Sequence, residues 1–98
     1  MNTSRLPKTC PVTKVAKLLS DTWTMLIVHA ALSGPKRFCE LERELPGIST
    51  RTLTAKLKQL EKEDLLRKRP TGEYAPTRKG RGLRIIEKAM RRYGKKFL

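Results

Sequence analysis

Apolar positions along this chain fall into short segments whose spacing changes from one to the next. Val12, Val15, Ala16 and Leu19 recur at helical spacing behind Cys10-Pro11, and proline suits the first helical position, so a short helix is predicted to open there. Ser20-Asp21 interrupts the pattern and caps a second helix over Thr22 to Leu32. That segment is apolar nearly all round (Trp23, Met25, Leu26, Ile27, Val28, Ala30, Ala31), the pattern of a central core helix, and Ser33-Gly34-Pro35 stops it. A third helix from about Arg37 to Leu45 turns Phe38, Leu41 and Leu45 inward, with Glu40, Glu42 and Glu44 mostly outward. Pro46-Gly47-Ile48 reverses the chain. Ser49 then caps a fourth helix, to about Asp64, whose Leu53, Leu57 and Leu60 form a narrow core-facing stripe. Leu65 to Arg69 reads as a strand, Pro70-Thr71-Gly72 as a tight turn and Glu73 to Pro76 as a short return strand. Thr77 caps a long final helix reaching Tyr93 or beyond.

Two helices joined by a short glycine-containing turn make a helix-turn-helix, and a hairpin directly after the second would be a wing. The predicted fold is therefore mainly α with a small β-hairpin: a winged helix-turn-helix, dimerising through terminal helices. It occupies residues 10–98, while polar, proline-interrupted residues 1–9 read as a flexible N-terminal arm. Only Leu6 in that arm is a strong hydrophobe, so no secretory signal is expected. The longest apolar run, Met25 to Leu32, is too short to span a membrane, and the expected location is the cytoplasm, at the nucleoid.

Composition narrows the partner. Only 38% of the 98 residues are hydrophobic, little for a self-contained globule, which suggests extra burial by self-association. The net charge is +14, and Leu65 to Leu98 carries 12 basic residues against Glu73 and Glu87 alone. That skew points to a polyanion, with nucleic acid ahead of an anionic membrane.

The fourth helix carries the chemistry such a partner needs. At about 100° per residue, Arg51, Ala55, Lys58 and Lys62 lie opposite the leucine stripe, flanked by Thr54 and Gln59. This face is basic, small and hydroxylated, with no bulky hydrophobe in the way of a DNA groove. Arg51 can donate two hydrogen bonds to guanine, and Thr54 can meet a base or a thymine methyl. Ser49, Thr50 and Thr52, near the helix N-terminus, suit phosphate contacts. The competing reading is a solvated face capped by Ser49. Lys36 and Arg37 start the preceding helix, where phosphate contact is expected. Arg67, Lys68 and Arg69 enter the wing, and Thr71, Gly72 and Tyr74 shape its tip. Strand alternation puts Lys68 on the face opposite Arg67 and Arg69, so the three cannot all touch DNA.

Leu83, Ile86, Met90, Tyr93 and Phe97 are spaced 3, 4, 3 and 4, a heptad-like seam. Core packing would account for Leu83 and Ile86 alone. A stripe continuing to the chain end fits pairing of helices between two subunits.

Several separated blocks together resemble one family. Cys10-Pro11-Val12 through Trp23-Thr24 to Ala30-Ala31-Leu32, the block GPKRFCELERELPGISTRTLTAKLKQLEKEDLL and the wing exit EYAPTRKGRGL are similar to HxlR-type transcriptional regulators, over roughly residues 10 to 95. The resemblance implies a bacterial or archaeal dimeric winged-helix regulator, its second helix-turn-helix helix in the major groove of double-stranded DNA. Two features depart from the family pattern: the wing is short, and Pro76 replaces an aliphatic residue in the return strand. The resemblance also bears on Cys10, because some of these regulators sense oxidants or electrophiles through a cysteine in the Cys-Pro-Val position. A helix N-terminus with Lys8 and Lys14 nearby would stabilise its thiolate. A cap-region cysteine packed under a neighbouring helix would look the same in sequence, and both readings stay open. Cys39 reads as a small buried hydrophobe.

No catalytic, metal or cofactor constellation can be assembled. His29, the one histidine, sits in the most apolar helix, where a packed or hydrogen-bonded role is expected. The function expected is that of a sequence-specific regulator, a homodimeric repressor on an inverted-repeat operator. The alternative is a basic architectural or RNA-binding winged-helix protein without sequence preference. A regulator should prefer its site over random duplex by about 10³ or more.

Overall fold

The computed structural model describes residues 10–98; the proposed N-terminal arm lies outside them. Six helices and one hairpin follow in order: α1 Pro11–Leu18, α2 Thr22–Leu32, α3 Phe38–Glu44, α4 Thr50–Lys62, β1 Leu66–Lys68, β2 Tyr74–Pro76, α5 Arg78–Arg81 and α6 Arg84–Phe97. This is the expected winged helix-turn-helix order. No single helix among the described residues is long and apolar enough to cross a membrane.

Local chemistry sets most of the boundaries. Asp21 caps α2 by accepting the Thr24 N–H at 2.8 Å, and Ser49 caps α4 by accepting the Thr52 N–H at 3.0 Å. At the far end of α4, Asp64 takes a left-handed φ of 59° while the Leu65 N–H reaches back to the Leu60 carbonyl. That geometry closes a Schellman-type end. It also lets Leu65 and Leu66 drop straight into the core at the start of the wing.

Leu53, Leu57 and Leu60 of α4 pack with Ile27, Val28 and Leu32 of α2, Leu41 and Leu45, and Leu65, Leu66, Tyr74 and Leu83. Helix α2 lies at the centre, as its all-round apolar sequence requires. The hairpin is antiparallel, with Leu66 opposite Pro76 and Lys68 opposite Tyr74. Beyond the strands the Arg69 N–H donates to the Glu73 carbonyl at 2.7 Å, leaving a three-residue turn that reverses at Gly72, whose φ of 92° favours glycine.

Four expectations need correction. The final helix is not continuous: α5 ends at Arg81, Gly82-Leu83 form a break, and α6 starts anew at Arg84. The cause is Leu83, which must turn into the core at 7% exposure while α6 leaves it. Leu83 is thus a core residue rather than an interface one, and Ile86 packs partly against the same core. Tyr74 is not at the wing tip; it is 8% exposed, and its N–H and carbonyl pair with the carbonyl and N–H of Lys36 at 2.7 and 2.9 Å. Cys39, finally, is exposed, on the side of α3 away from Leu41.

The break at Gly82 follows a close approach. A Cβ on Gly80 would lie 2.1 Å from the Leu65 carbonyl oxygen, so only glycine lets α5 sit against the root of the wing. Thr77 caps α5 through the Gly80 N–H and donates its hydroxyl to the Asp64 carbonyl, tying both ends of the hairpin together.

Candidate nucleic-acid interface

Helix α4 presents the face anticipated from its sequence. Arg51, Thr54, Ala55, Lys58, Gln59 and Lys62 are all exposed, while Leu53, Leu57 and Leu60 hold the opposite side against the core. The helix is fixed in roll by that stripe. Its position along the axis is set by Lys56, which reaches the Asp21 carboxylate at 2.7 Å and so joins α4 to the cap of α2. Among the described residues, no ion pair engages Arg51, Lys58, Arg67 or Arg69.

The hydroxyls at the start of α4 are partly committed already. Thr50 donates to Glu42 Oε2 at 2.8 Å, Thr54 donates to the Thr50 carbonyl at 2.8 Å, and Ser49 donates to Thr52 Oγ1 at 2.9 Å. A phosphate oxygen only accepts, so Thr50 or Thr54 would have to rotate away from these partners before donating to it. Glu42 is the residue that sequence reasoning passed over, since nothing local pairs it with Thr50 eight positions later.

Lys36 and Arg37 precede α3 rather than open it. Lys36 is held by Glu44 at 3.0 Å, with only 18% of its side chain exposed, so it is less available than expected. Arg37 is exposed, its N–H donates to Glu40 Oε1 at 2.9 Å, and its guanidinium lies close to Gly72 at the wing turn. Arg67 on β1 lies on the face opposite Lys68, whose ammonium sits 5.7 Å from the Tyr74 ring centre, and Arg69 follows directly after the strand, exposed. Thr71 is exposed at the turn and donates to Glu73 at 3.0 Å. Arg51, Lys58 and Lys62 on α4, Arg37 beside Gly72, Arg67 and Lys68 on β1, and Arg69 just after it are therefore exposed cationic side chains of α4 and the wing.

Two other groups bear on assembly and sensing. On α6, Met90, Tyr93 and Phe97 are 53%, 60% and 63% exposed, and the Tyr93 and Phe97 rings lie 4.9 Å apart. Ile85 extends this apolar face, one residue ahead of the heptad seam; its spacing of four to Ala89 was the signal available in the sequence. Helix α1 buries no side chain completely, and Val12 is 76% exposed. At the N-terminus of α1, the Thr13 N–H and hydroxyl, then the Val12 N–H, hold the Cys10 thiol below the usual cysteine pKa. The neutral side chain closes no cap hydrogen bond of its own. The stabilising groups among the described residues are local backbone and hydroxyl dipoles, and Lys14 is not one of them.

Comparison with known proteins places this architecture. Residues 18–98 match the model of the HxlR-like helix-turn-helix family. The HTH-type transcriptional regulator YvaP of Bacillus subtilis is 40% identical over 93 residues, covering 88% of this chain and 83% of that protein. YodB, an HTH-type transcriptional regulator of the same organism, is 33% identical over 95 residues, covering 90% and 85%. The crystal structure of quinone-bound YodB is similar at a TM-score of 0.81 and 32% identity, over 90% of this chain and 100% of that one. The reduced form of the redox regulator HypR gives a TM-score of 0.81 at 28% identity, over 89% and 92%. These relatives are transcriptional regulators and not enzymes. With the exposed helix α4, the short wing and a match over most of its length, the chain belongs to the HxlR-like helix-turn-helix family of DNA-binding transcriptional regulators.

Proposed function

We propose that this protein is a cytoplasmic, sequence-specific repressor that binds an inverted-repeat operator as a homodimer. The observation that carries the reading is the single unobstructed face of α4. Arg51, Thr54, Ala55 and Lys58 share it, and no bulky side chain would keep the helix out of a major groove. Arg51 reads a guanine, Thr54 and Ala55 meet neighbouring base edges, and Ser49, Thr50 and Thr52 approach phosphates once the Glu42 bond to Thr50 is released. Arg37, Arg67, Arg69 and Thr71 flank this helix with phosphate contacts. Lys68 faces the other way and adds charge rather than contact.

Self-association is supported by the aromatic stripe on α6 and the uncovered apolar side of α1, neither of which is covered by the described residues of the protomer. Two-fold pairing through Met90, Tyr93 and Phe97 would set the two α4 helices about 34–36 Å apart, one turn of duplex. A dimer so placed over a promoter excludes polymerase, which is the basis for reading it as a repressor. Cys10 is the proposed sensor. Its thiol is biased toward the reactive thiolate at the end of a helix that has apolar surface left to pair, and the relatives include a quinone-bound YodB and a redox regulator.

The test is selection from a pool of random duplexes, followed by measured affinities. A symmetric consensus bound at least about 10³-fold tighter than random duplex establishes a specific regulator. Equal binding of all duplexes means an architectural protein. Transcription from a promoter bearing the selected site then distinguishes repression from activation.

A further inference from the structure

A cavity of about 330 Å³ opens where α2, the end of α3 and α6 meet, away from α4 and the wing. Its size is in the range that small molecules occupy. Leu26, Ala30 and Leu32 give it an apolar wall. Four charged side chains complete it: Arg84, Glu87 and Arg91 from α6, and Glu44 from α3.

These charges do not cancel evenly. Glu87 is 7% exposed, accepts from Arg91 one turn away, and is 2.9 Å from His29 Nδ1. Glu44 is held by Lys36 at 3.0 Å. Both carboxylates therefore have a basic partner, and Arg91 has an acidic one in Glu87. Arg84 is left over. Its Nη2 donates to the Leu32 carbonyl at 3.2 Å, and no carboxylate pairs with it among the described residues. A guanidinium has five N–H donors in a planar fork, so most of this one's capacity is unspent beside an apolar wall.

We infer that this cavity is a binding site for a small carboxylate with an apolar body, its carboxylate on Arg84 and its body against Leu26, Ala30 and Leu32. The location gives the site a consequence. Leu32 ends the central core helix, Glu44 ends the first helix of the helix-turn-helix, and Arg84 begins the helix proposed to pair subunits. A ligand joining these three would bias the angle between α6 and the DNA-reading unit. That consequence rests on the proposed regulatory function; occupancy of the cavity does not.

The experiment uses the full chain without DNA and benzoate as the probe, with benzamide as its uncharged near-isostere. Isotope-labelled protein is titrated with each while the backbone amide spectrum is followed. A ligand of this size is expected to bind with a dissociation constant on the order of 1 mM. Benzoate should move the amides of Ala30 to Ser33 and Arg84 to Glu87 in a saturable way, and benzamide should bind at least about 10-fold more weakly. R84Q should lose a similar factor while its spectrum stays folded. Absence of saturable binding to the parent at several times that concentration overturns the inference. So does equal binding of benzamide, equal binding by R84Q, or benzoate shifts centred on the basic side chains of α4 and the wing. Because the amide map comes from the parent protein, the inference stays testable even if R84Q fails to fold. If random-duplex selection yields no operator while benzoate still maps to Arg84, the DNA reading fails and the site stands. With an operator in hand, benzoate should change its affinity in the parent and not in R84Q.

Discussion

Replacing Tyr93 by alanine removes the central ring of the exposed stripe on α6 without touching the core of the protomer. The ring is 60% exposed. An aromatic side chain buries roughly 150–250 Å² when covered, so about 100–150 Å² remains for a second subunit to cover. If a two-fold interface covers half of that on each protomer, the loss at ~25 cal/mol per Å² comes to about 3 kcal/mol per dimer. That is roughly 100-fold in the dissociation constant. Alanine is the better helix former, so α6 itself should not weaken. Sedimentation equilibrium over roughly three decades of concentration around the parent's dissociation constant measures the effect, and circular dichroism checks the fold. A parent protein that stays monomeric at micromolar concentration, or a variant that pairs as tightly as the parent, would refute the assignment of this stripe to dimerisation.

Arg51→Ala should cost about 1–3 kcal/mol at the selected operator and relax preference at one base pair; unchanged affinity in a competition titration would mean that the recognition face lies elsewhere. Gly80→Ala drives a methyl group into the Leu65 carbonyl, where overpacking costs roughly 1–3 kcal/mol. The thermal midpoint should then fall by about 4–20 °C for a domain of this size, and an unshifted midpoint would contradict the close approach of α5 to the wing. Arg91 first, and then His29, hold the Glu87 carboxyl below the ordinary glutamate range. Its contribution to stability is therefore complete above the unfolded value of about 4.3 and is lost as pH falls through the lower folded value. Melting scans from about pH 6 to pH 3 should show the parent losing stability more steeply than Glu87→Gln, and parallel curves would exclude the ion pair as a stabiliser. In a Cys39→Ser background, needed because Cys39 is exposed, the alkylation rate of Cys10 should reach half its maximum below about pH 8.5. A quinone or mild peroxide should lower operator affinity there and leave Cys10→Ser unaffected; equal loss in both would place the chemistry on another residue.

What the sequence determined by itself is what depends on neighbours along the chain. Asp21, Ser49 and Thr77 cap helices because each oxygen needs only an N–H three residues on. Leu53, Leu57 and Leu60 share a face by helical geometry alone, and so do Arg51, Ala55 and Lys58 opposite them. Pro70-Thr71-Gly72 closes the wing because its loop needs φ above zero at one position and glycine supplies it. The recognition helix was legible for these reasons. Tertiary structure decided the rest, wherever a residue's neighbour lies far along the chain. Tyr74 turns inward because Lys36, 38 positions earlier, pairs with its backbone. The final helix breaks because Leu83 is drawn into a core made by α2, α3 and α4, at the point where Gly80 meets Leu65. Lys36 loses reach to Glu44, and Thr50 gives its hydroxyl to Glu42. Glu87, a plain surface glutamate by sequence, is buried because α6 crosses α2 at His29, and the same crossing leaves Arg84 as the cavity's unmatched charge. Periodicity assigns a residue to a face; only packing decides whether that face meets water, core or another helix.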